Sequence, residues 1–288
     1  MLGTGKIGKL LLRLSVPCIT AQVVNMLYNV VDRIYIGHMT GVGVCFPLIT
    51  LISAFSALVG MGGAPCASIA MGRGDRAASS RILSNCLTAM LVLGVVLTVV
   101  VRVFSEPLLW AFGASRQTLP YGLSYLNIYA LGSVFVMLSV GMNSFLTAQG
   151  FAATAMKTTL IGAVLNIILD PVFIFVFGLG APGAAIATVI SQAASAAWVL
   201  LFLFGKQNSW PVRRESLRPQ WKVLAPVLAL GLSPFIMQST ESLLLICFNI
   251  SLQQYGGDAA VGSMSILSSV MQMVTLPLQG LSQGAQPI

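Results

Sequence analysis

The sequence predicts an all-α polytopic membrane protein of about eight transmembrane helices. A complete six-helix amino-terminal bundle is followed by the first two helices of a second, repeat-related bundle. Three observations predict it. The 288-residue chain is 57% hydrophobic and only 8% charged, whereas soluble domains run at about 45–50% and about 25%. Its apolar residues fall into runs long enough to cross a bilayer, which takes about 20 residues of helix. Its basic residues gather in short gaps between those runs, on one side of the implied membrane.

The first run, 10–37, follows Lys6 and Lys9 and takes in Arg13. It is too long for the apolar core of a signal peptide and shows no small-residue cleavage site, so it reads as a retained helix. The second, 45–72, ends in the basic segment around Arg73, Arg76 and Arg81. The third and fourth are 82–112 and 119–148, and the fifth and sixth are 156–178 and 183–205, joined by the tight turn Gly178-Leu-Gly-Ala-Pro-Gly183. The longest polar stretch, Gly205 to Trp221, separates them from the last two, 223–255 and 259–288. Prolines inside these spans (Pro17, Pro47, Pro65, Pro226, Pro234, Pro277) are tolerable where neighbouring helices satisfy the freed backbone groups. The expected organisation is a bundle over 1–206, a cytoplasmic linker over 207–222, and an incomplete second bundle over 223–288.

With the N-terminus in the cytoplasm, the inner segments carry Lys6, Lys9, Arg13, Arg73, Arg76, Arg81, Lys157, Lys206, Arg213, Arg214, Arg218 and Lys222. Only Arg33, Arg102 and Arg116 remain of the fifteen basic residues. That asymmetry orients the chain N-in, in a plasma membrane, and accounts for the net charge of +8 without nucleic acid. The five cysteines are scattered and mostly within apolar runs, so neither a disulfide framework nor a zinc site is indicated.

An internal repeat is visible. Leu-Ser-Val-Pro17 corresponds to Gly-Leu-Ser-Pro234, and with those prolines superposed Asp32 falls on Asn249. GMGGAPCAS (60–68) resembles QGLSQGAQPI (279–288), so span eight repeats span two. The first unit has six spans and the second two, which reads as a fragment of a protein of about twelve helices.

The candidate site is Asn166-Ile-Ile-Leu-Asp170-Pro171 in span five. A charge at the centre of a membrane helix costs roughly 2.5 to 3.5 kcal/mol even on insertion scales, so intramembrane acids are functional by default. Asn166 and Asp170 are one helical turn apart and share a face. Pro171 cannot bond the carbonyl of Ile167, which marks it as a hinge and frees an oxygen beside the acid. At 1.5 Å per residue, Asp170 lies about 12 Å before the Gly178–Gly183 turn and Thr188 about 8 Å after it, while Asp32 lies about 8 Å from the outer end of span one. Two carboxylates, an amide and a hydroxyl at one level form a hard oxygen pocket for Na⁺ or a proton. Gln22, Asn25, Tyr28 and Asn29 share span one with Asp32 and read either as interhelical glue or as substrate-cavity lining. Glu241 lies in span seven, on the other unit.

Two enzyme-like motifs are set aside. Gly72-Arg-Gly-Asp75 matches the G-x-G-D of intramembrane aspartyl proteases, but Asp75 sits at the basic end and Asp32 near the opposite side. Gly280-Leu-Ser282-Gln-Gly284 fits a nucleophile elbow, which needs a strand–turn–helix context and a histidine base. The single histidine, His38, is in an outer loop, and the two glycines read better as a close helix-packing pair.

Taken together, VVDRIYIGHM (30–39), GMGGAPCASIAMGRGD (60–75), NIILDPVFIFVFGLGAPGAAIATVISQ (166–192) and PLQGLSQGAQPI (277–288) resemble the multidrug and toxic compound extrusion (MATE) transporters. The resemblance implies two six-helix bundles around a central cavity and export of cationic, lipophilic compounds against Na⁺ or H⁺ influx. It implies no catalytic residue, no cofactor beyond the coupling ion and no obligate protein partner, with membrane lipid as surroundings. The family's amino-half cation site maps onto Asp32, Asn166, Asp170 and Thr188, and its acid in span seven onto Glu241. Thr147 and Phe151 stand where members often carry Arg and Asp. A lipid-linked saccharide flippase of the same superfamily, or an inactive truncated product, are the alternatives; an intramembrane protease is disfavoured.

Overall fold

A computed structural model describes residues 7–37, 42–205, 208–212 and 214–285. All of the described regular structure is helical. The chain runs through α1 (Ile7–Gly37), a 3₁₀ turn (Val42–Cys45), α2 (Phe46–Gly72) and α3 (Arg76–Val103), then the short α4 (Ser105–Ala111). It continues through α5 (Leu119–Val136), a π turn (Met137–Gly141), α6 (Met142–Ala148), α7 (Ala152–Pro171) and a second π turn (Val172–Val176). The last elements are α8 (Ala181–Phe204), a 3₁₀ turn (Arg214–Leu217) and α9 (Trp221–Ala285).

Local chemistry sets most of these boundaries. Prolines open α2, α5 and α8 at the first turn, where a missing N–H costs nothing. The Asp75 carboxylate accepts from the Ala78 N–H at 2.8 Å and caps α3, an arrangement worth about 1 kcal/mol. The acid of the G-x-G-D segment is therefore a helix cap. Gly178 and Gly180 take φ of +65° and +59°, the region open to glycine, and reverse the chain between α7 and α8. Gly257 does the same inside α9, with φ 64° and ψ −167°, dividing it into two limbs.

Six segments are long and apolar enough to cross a membrane: Gly43–Gly72, Arg76–Val103, Leu119–Ala148, Ala152–Val176, Ala181–Phe204 and Trp221–Gly257. α1, with its apolar core Leu14–Leu27, and the limb beyond Gly257 supply two further long helices. The eight expected spans correspond to these, with one correction. The run 82–112 is two helices, α3 and α4, because Pro107 in Ser-Glu-Pro cannot continue the hydrogen-bond ladder of α3 and instead starts a new first turn. Val92, Val95, Val96, Val99, Val100 and Val103 stand exposed along α3, as a lipid-facing surface requires when the backbone is already satisfied within the helix.

α1 packs on α7 and α9, α7 on α8, α8 on α5, and α2 on α3, α9 and the first π turn. Two buried layers fill the bundle. One joins Val44, Ile52, Leu109, Tyr125 and Ile174. The other joins Val59, Leu83, Met90, Phe145, Trp210 and Val227. Phe151 meets Phe202 edge-on at 5.0 Å. The polar stretch between α8 and α9 is seated on the bundle: Trp210 is buried, and Ser80, Asn85 and Thr88 of α3 hydrogen-bond Pro211, Ser216, Gln220 and Leu217.

Candidate cation site between α7 and α8

α7 buries Asn166 and Asp170 one turn apart, and α8 buries Thr188 opposite them. The Asn166 Nδ2 amide donates to Thr188 Oγ1 at 3.3 Å, and the Thr188 hydroxyl donates in turn to the Ala184 carbonyl at 3.0 Å. The amide is thereby oriented with Oδ1 pointing away from the bond. Among the described residues that buried oxygen accepts no hydrogen bond, which is uncommon for a native buried polar atom. Asp170 is fully buried.

Small residues let the two helices come this close. A Cβ at Gly162 would lie 2.6 Å from Ser195 Oγ, and one at Gly183 would lie 2.7 Å from the Phe173 carbonyl. The helical register changes immediately past Asp170. Pro171 has no N–H for the carbonyl of Ile167, and the next five residues form the π turn, closed by Phe177 N–H to Val172 O at 3.0 Å. The Ile167 carbonyl, whose usual N–H donor is missing at Pro171, lies one turn before the junction of α7 and the π turn.

The arrangement extends further along α8 than the sequence reading reached. Ser195 Oγ donates to Thr158 O on α7 at 3.1 Å, and Ser191 Oγ to Ala187 O at 2.8 Å. Gln192 Oε1 accepts from Ser139, inside the first π turn, at 2.6 Å. Thr188, Ser191, Gln192 and Ser195 recur at the spacing of one helix face, which was the available signal. The cluster is a buried oxygen-rich seam whose donors are amide, hydroxyl and carboxylate oxygens, suited to a hard monovalent cation or a proton.

The other sequence candidates fall elsewhere. Gln22 and Asn25 are half-buried on α1. The side chains of Tyr28, Asn29 and Asp32, in the last turns of α1, lie outside the described residues. Glu241 is exposed on the first limb of α9 and does not join the buried seam; its neighbour Ser242 donates to Pro47 O on α2 at 2.7 Å.

Comparisons with known proteins bear on this architecture. A sequence model of the MatE family matches residues 17–172, more than half of the chain. The chain is 27% identical over 288 residues to the "Multidrug export protein MepA" of Staphylococcus haemolyticus, covering 98% of this chain and 64% of that protein. It is 34% identical to the solved MATE multidrug transporter DinF-BH, with TM-score 0.94 over 100% of this chain and 66% of that one. A solved outward-facing multidrug-resistance MATE transporter is 26% identical, with TM-score 0.87 over 97% of this chain and 63% of that one. The chain therefore spans a little under two thirds of the length of the relatives it matches. With a family match over most of its amino-terminal bundle and the same fold throughout, the chain belongs to the MATE family, whose members are multi-pass membrane transporters and not enzymes.

Proposed function

We propose that the α7–α8 seam, completed by Asp32 on α1, binds the Na⁺ or H⁺ that drives export of cationic, lipophilic compounds across the plasma membrane. The observation that carries this reading is the buried Asn166 Oδ1, held by the Thr188 bond beside a fully buried carboxylate. A cation supplies the partner that oxygen lacks. It also offsets the cost of keeping the Asp170 charge out of water.

The backbone supports including Asp32. Ala152, which opens α7, shares a buried cluster with Leu14 and Cys18 near the start of α1. α1 and α7 are packed against each other, and this reading takes them to run side by side from that point. At 1.5 Å per residue, Asp32 is about 21 Å above Cys18 and Asp170 about 27 Å above Ala152, levels within about one turn of each other. In this reading Asp32 adds a second carboxylate to the cation's oxygen shell.

In this mechanism the empty site is charged and drug-competent. Cation entry draws α7 toward α1 and α8, bending at Pro171 where the π turn has already broken the ladder, and the shrinking cavity expels the drug. Glu241 and the polar face of α1 (Gln22, Asn25, Tyr28, Asn29) line the drug side. The names of the relatives, multidrug exporters, favour drug as cargo.

The test is cation-dependent stability of the purified chain. Thermal unfolding in Na⁺, in choline and across pH should show stabilisation by Na⁺ or by acid, about 2.7 kcal/mol at a hundredfold excess over Kd. Asp170→Asn, which keeps the shape and removes the charge, should abolish that dependence, and with it ion-driven efflux of a cationic dye. An Asp170→Asn chain that responds to cations as the parent does would show the residue to be structural.

A further inference from the structure

We propose that a cleft at the basic end of the bundle, between the first turns of α3 and α9, binds the headgroup of an anionic phospholipid. The cleft holds about 250 Å³ and is lined by Cys66 of α2, Arg81 and Ile82 of α3, and Lys222, Val223 and Pro226 of α9. Arg81 and Lys222 come from the two units of the chain and face one small space. Among the described residues neither side chain has a hydrogen bond or an ion pair. Asp75, at the start of α3, accepts from the Ala78 N–H and, among the described residues, does not line the cleft. Two cations facing one space repel each other, and an anion between them reverses the sign of the interaction.

The shape selects a lipid over a free anion. Arg81 lies about 8 Å along α3 from its start, and Lys222 is in the first turn of α9, so the charged lining sits at the ends of the membrane helices. Cys66, Ile82, Val223 and Pro226 make the remaining wall largely apolar. A phosphate between the cations would place its glycerol and acyl chains along that wall. Trp221, next to Lys222 and 73% exposed, stands at the same level, where tryptophan marks the membrane–water interface. Basic clefts between membrane helices are suited to anionic headgroups, with roughly 1 kcal/mol per Lys or Arg near the surface. Because Arg81 is on α3 and Lys222 on α9, a bound lipid ties the two helices together.

Cys66 provides a reporter inside the cleft. Cys18, Cys45 and Cys86 are buried, and the exposed Cys247 is removed as Cys247→Ser. Maleimide labelling of Cys66 is measured in phosphatidylcholine vesicles with and without phosphatidylglycerol. Phosphatidylglycerol should slow labelling, and Arg81→Gln or Lys222→Gln should each raise the amount needed roughly fivefold. Arg81→Lys and Lys222→Arg should keep the protection, as should Arg73→Gln, which removes a charge from the same end but outside the cleft. Equal protection by phosphatidylcholine alone, or by inorganic phosphate, would overturn the lipid assignment. So would an Arg73→Gln chain that loses protection as fully as Arg81→Gln, since that is the behaviour of a diffuse basic surface.

Discussion

At the scale of the residue, the Asn166–Thr188 bond decides how the seam presents its oxygens. The threonine hydroxyl accepts from the amide and donates to Ala184 O, so both of its roles are filled and the amide cannot flip without losing a partner. Thr188→Ala removes the acceptor and leaves a buried N–H unsatisfied. The stability cost should be near the average for an interhelical bond in a membrane, about 0.6 kcal/mol, because the seam has other hydroxyls nearby. Cation-dependent stabilisation should weaken more than that, since the Asn166 Oδ1 loses its fixed direction. Thr188→Ser restores the hydroxyl and should restore both quantities in thermal unfolding. If the serine chain responds to cations as poorly as the alanine chain, the hydroxyl is not what orients the site.

At the scale of the element, glycines set the approach of α9 to the amino-terminal bundle. A Cβ at Gly62 would collide with the Val227 carbonyl, and one at Gly231 with the Leu58 carbonyl, so α2 and the first limb of α9 cross at backbone contact. Phe55 and Phe235 follow in the same antiparallel register, with ring centroids 5.0 Å apart. The second limb docks likewise: a Cβ at Gly280 would lie 2.7 Å from Ile19 Cα, and Gly284 abuts Ser15. The G-x-x-x-G of the closing segment is thus a packing device against α1. Gly62→Leu should separate α2 from α9 while leaving α7 and α8 in place. A Phe55→Cys, Phe235→Cys pair should be joined by a short bis-maleimide in the parent and not in the Gly62→Leu chain. Undiminished cross-linking would mean that the two helices meet without this glycine contact.

At the scale of the whole molecule, the basic residues and the order of the helices predict a topology that can be measured. Cysteine accessibility in intact cells should place residues 1–9, 73–81 and 206–222 in the cytoplasm, and His38 and Asp258 outside. Finding the Arg213–Arg218 segment outside would reverse the orientation, and the direction of coupling with it. This segment is also where the sequence was least informative. Its composition reads as a solvated linker, yet Trp210 is buried, and Asn85 holds the Gln220 N–H and the Ser216 carbonyl at 2.6 and 3.1 Å. The chain between the two units is thereby part of the first bundle up to Gln220, and any relative motion of α9 starts there.

The sequence by itself determined the all-helical class and the long apolar helices. In a bilayer each backbone group must be satisfied within its own segment, so a long apolar run can only be a helix, and local hydropathy suffices to find it. A carboxylate within such a run announces itself by its cost. Asn166 and Asp170 are buried on α7, and the Asn166 amide bonds Thr188 on α8. The break at Pro107 was missed because α3 and α4 are apolar on both sides of it, and hydropathy does not register one absent N–H. Tertiary structure alone decided the partners: which glycine meets which carbonyl, that Ser139 reaches Gln192, and that Arg81 and Lys222 share a cleft. Lipid tails and leucine side chains are equally apolar, so hydrophobicity does not choose between neighbours in a membrane. Close packing and side-chain hydrogen bonds make that choice, and they exist only once the helices are side by side.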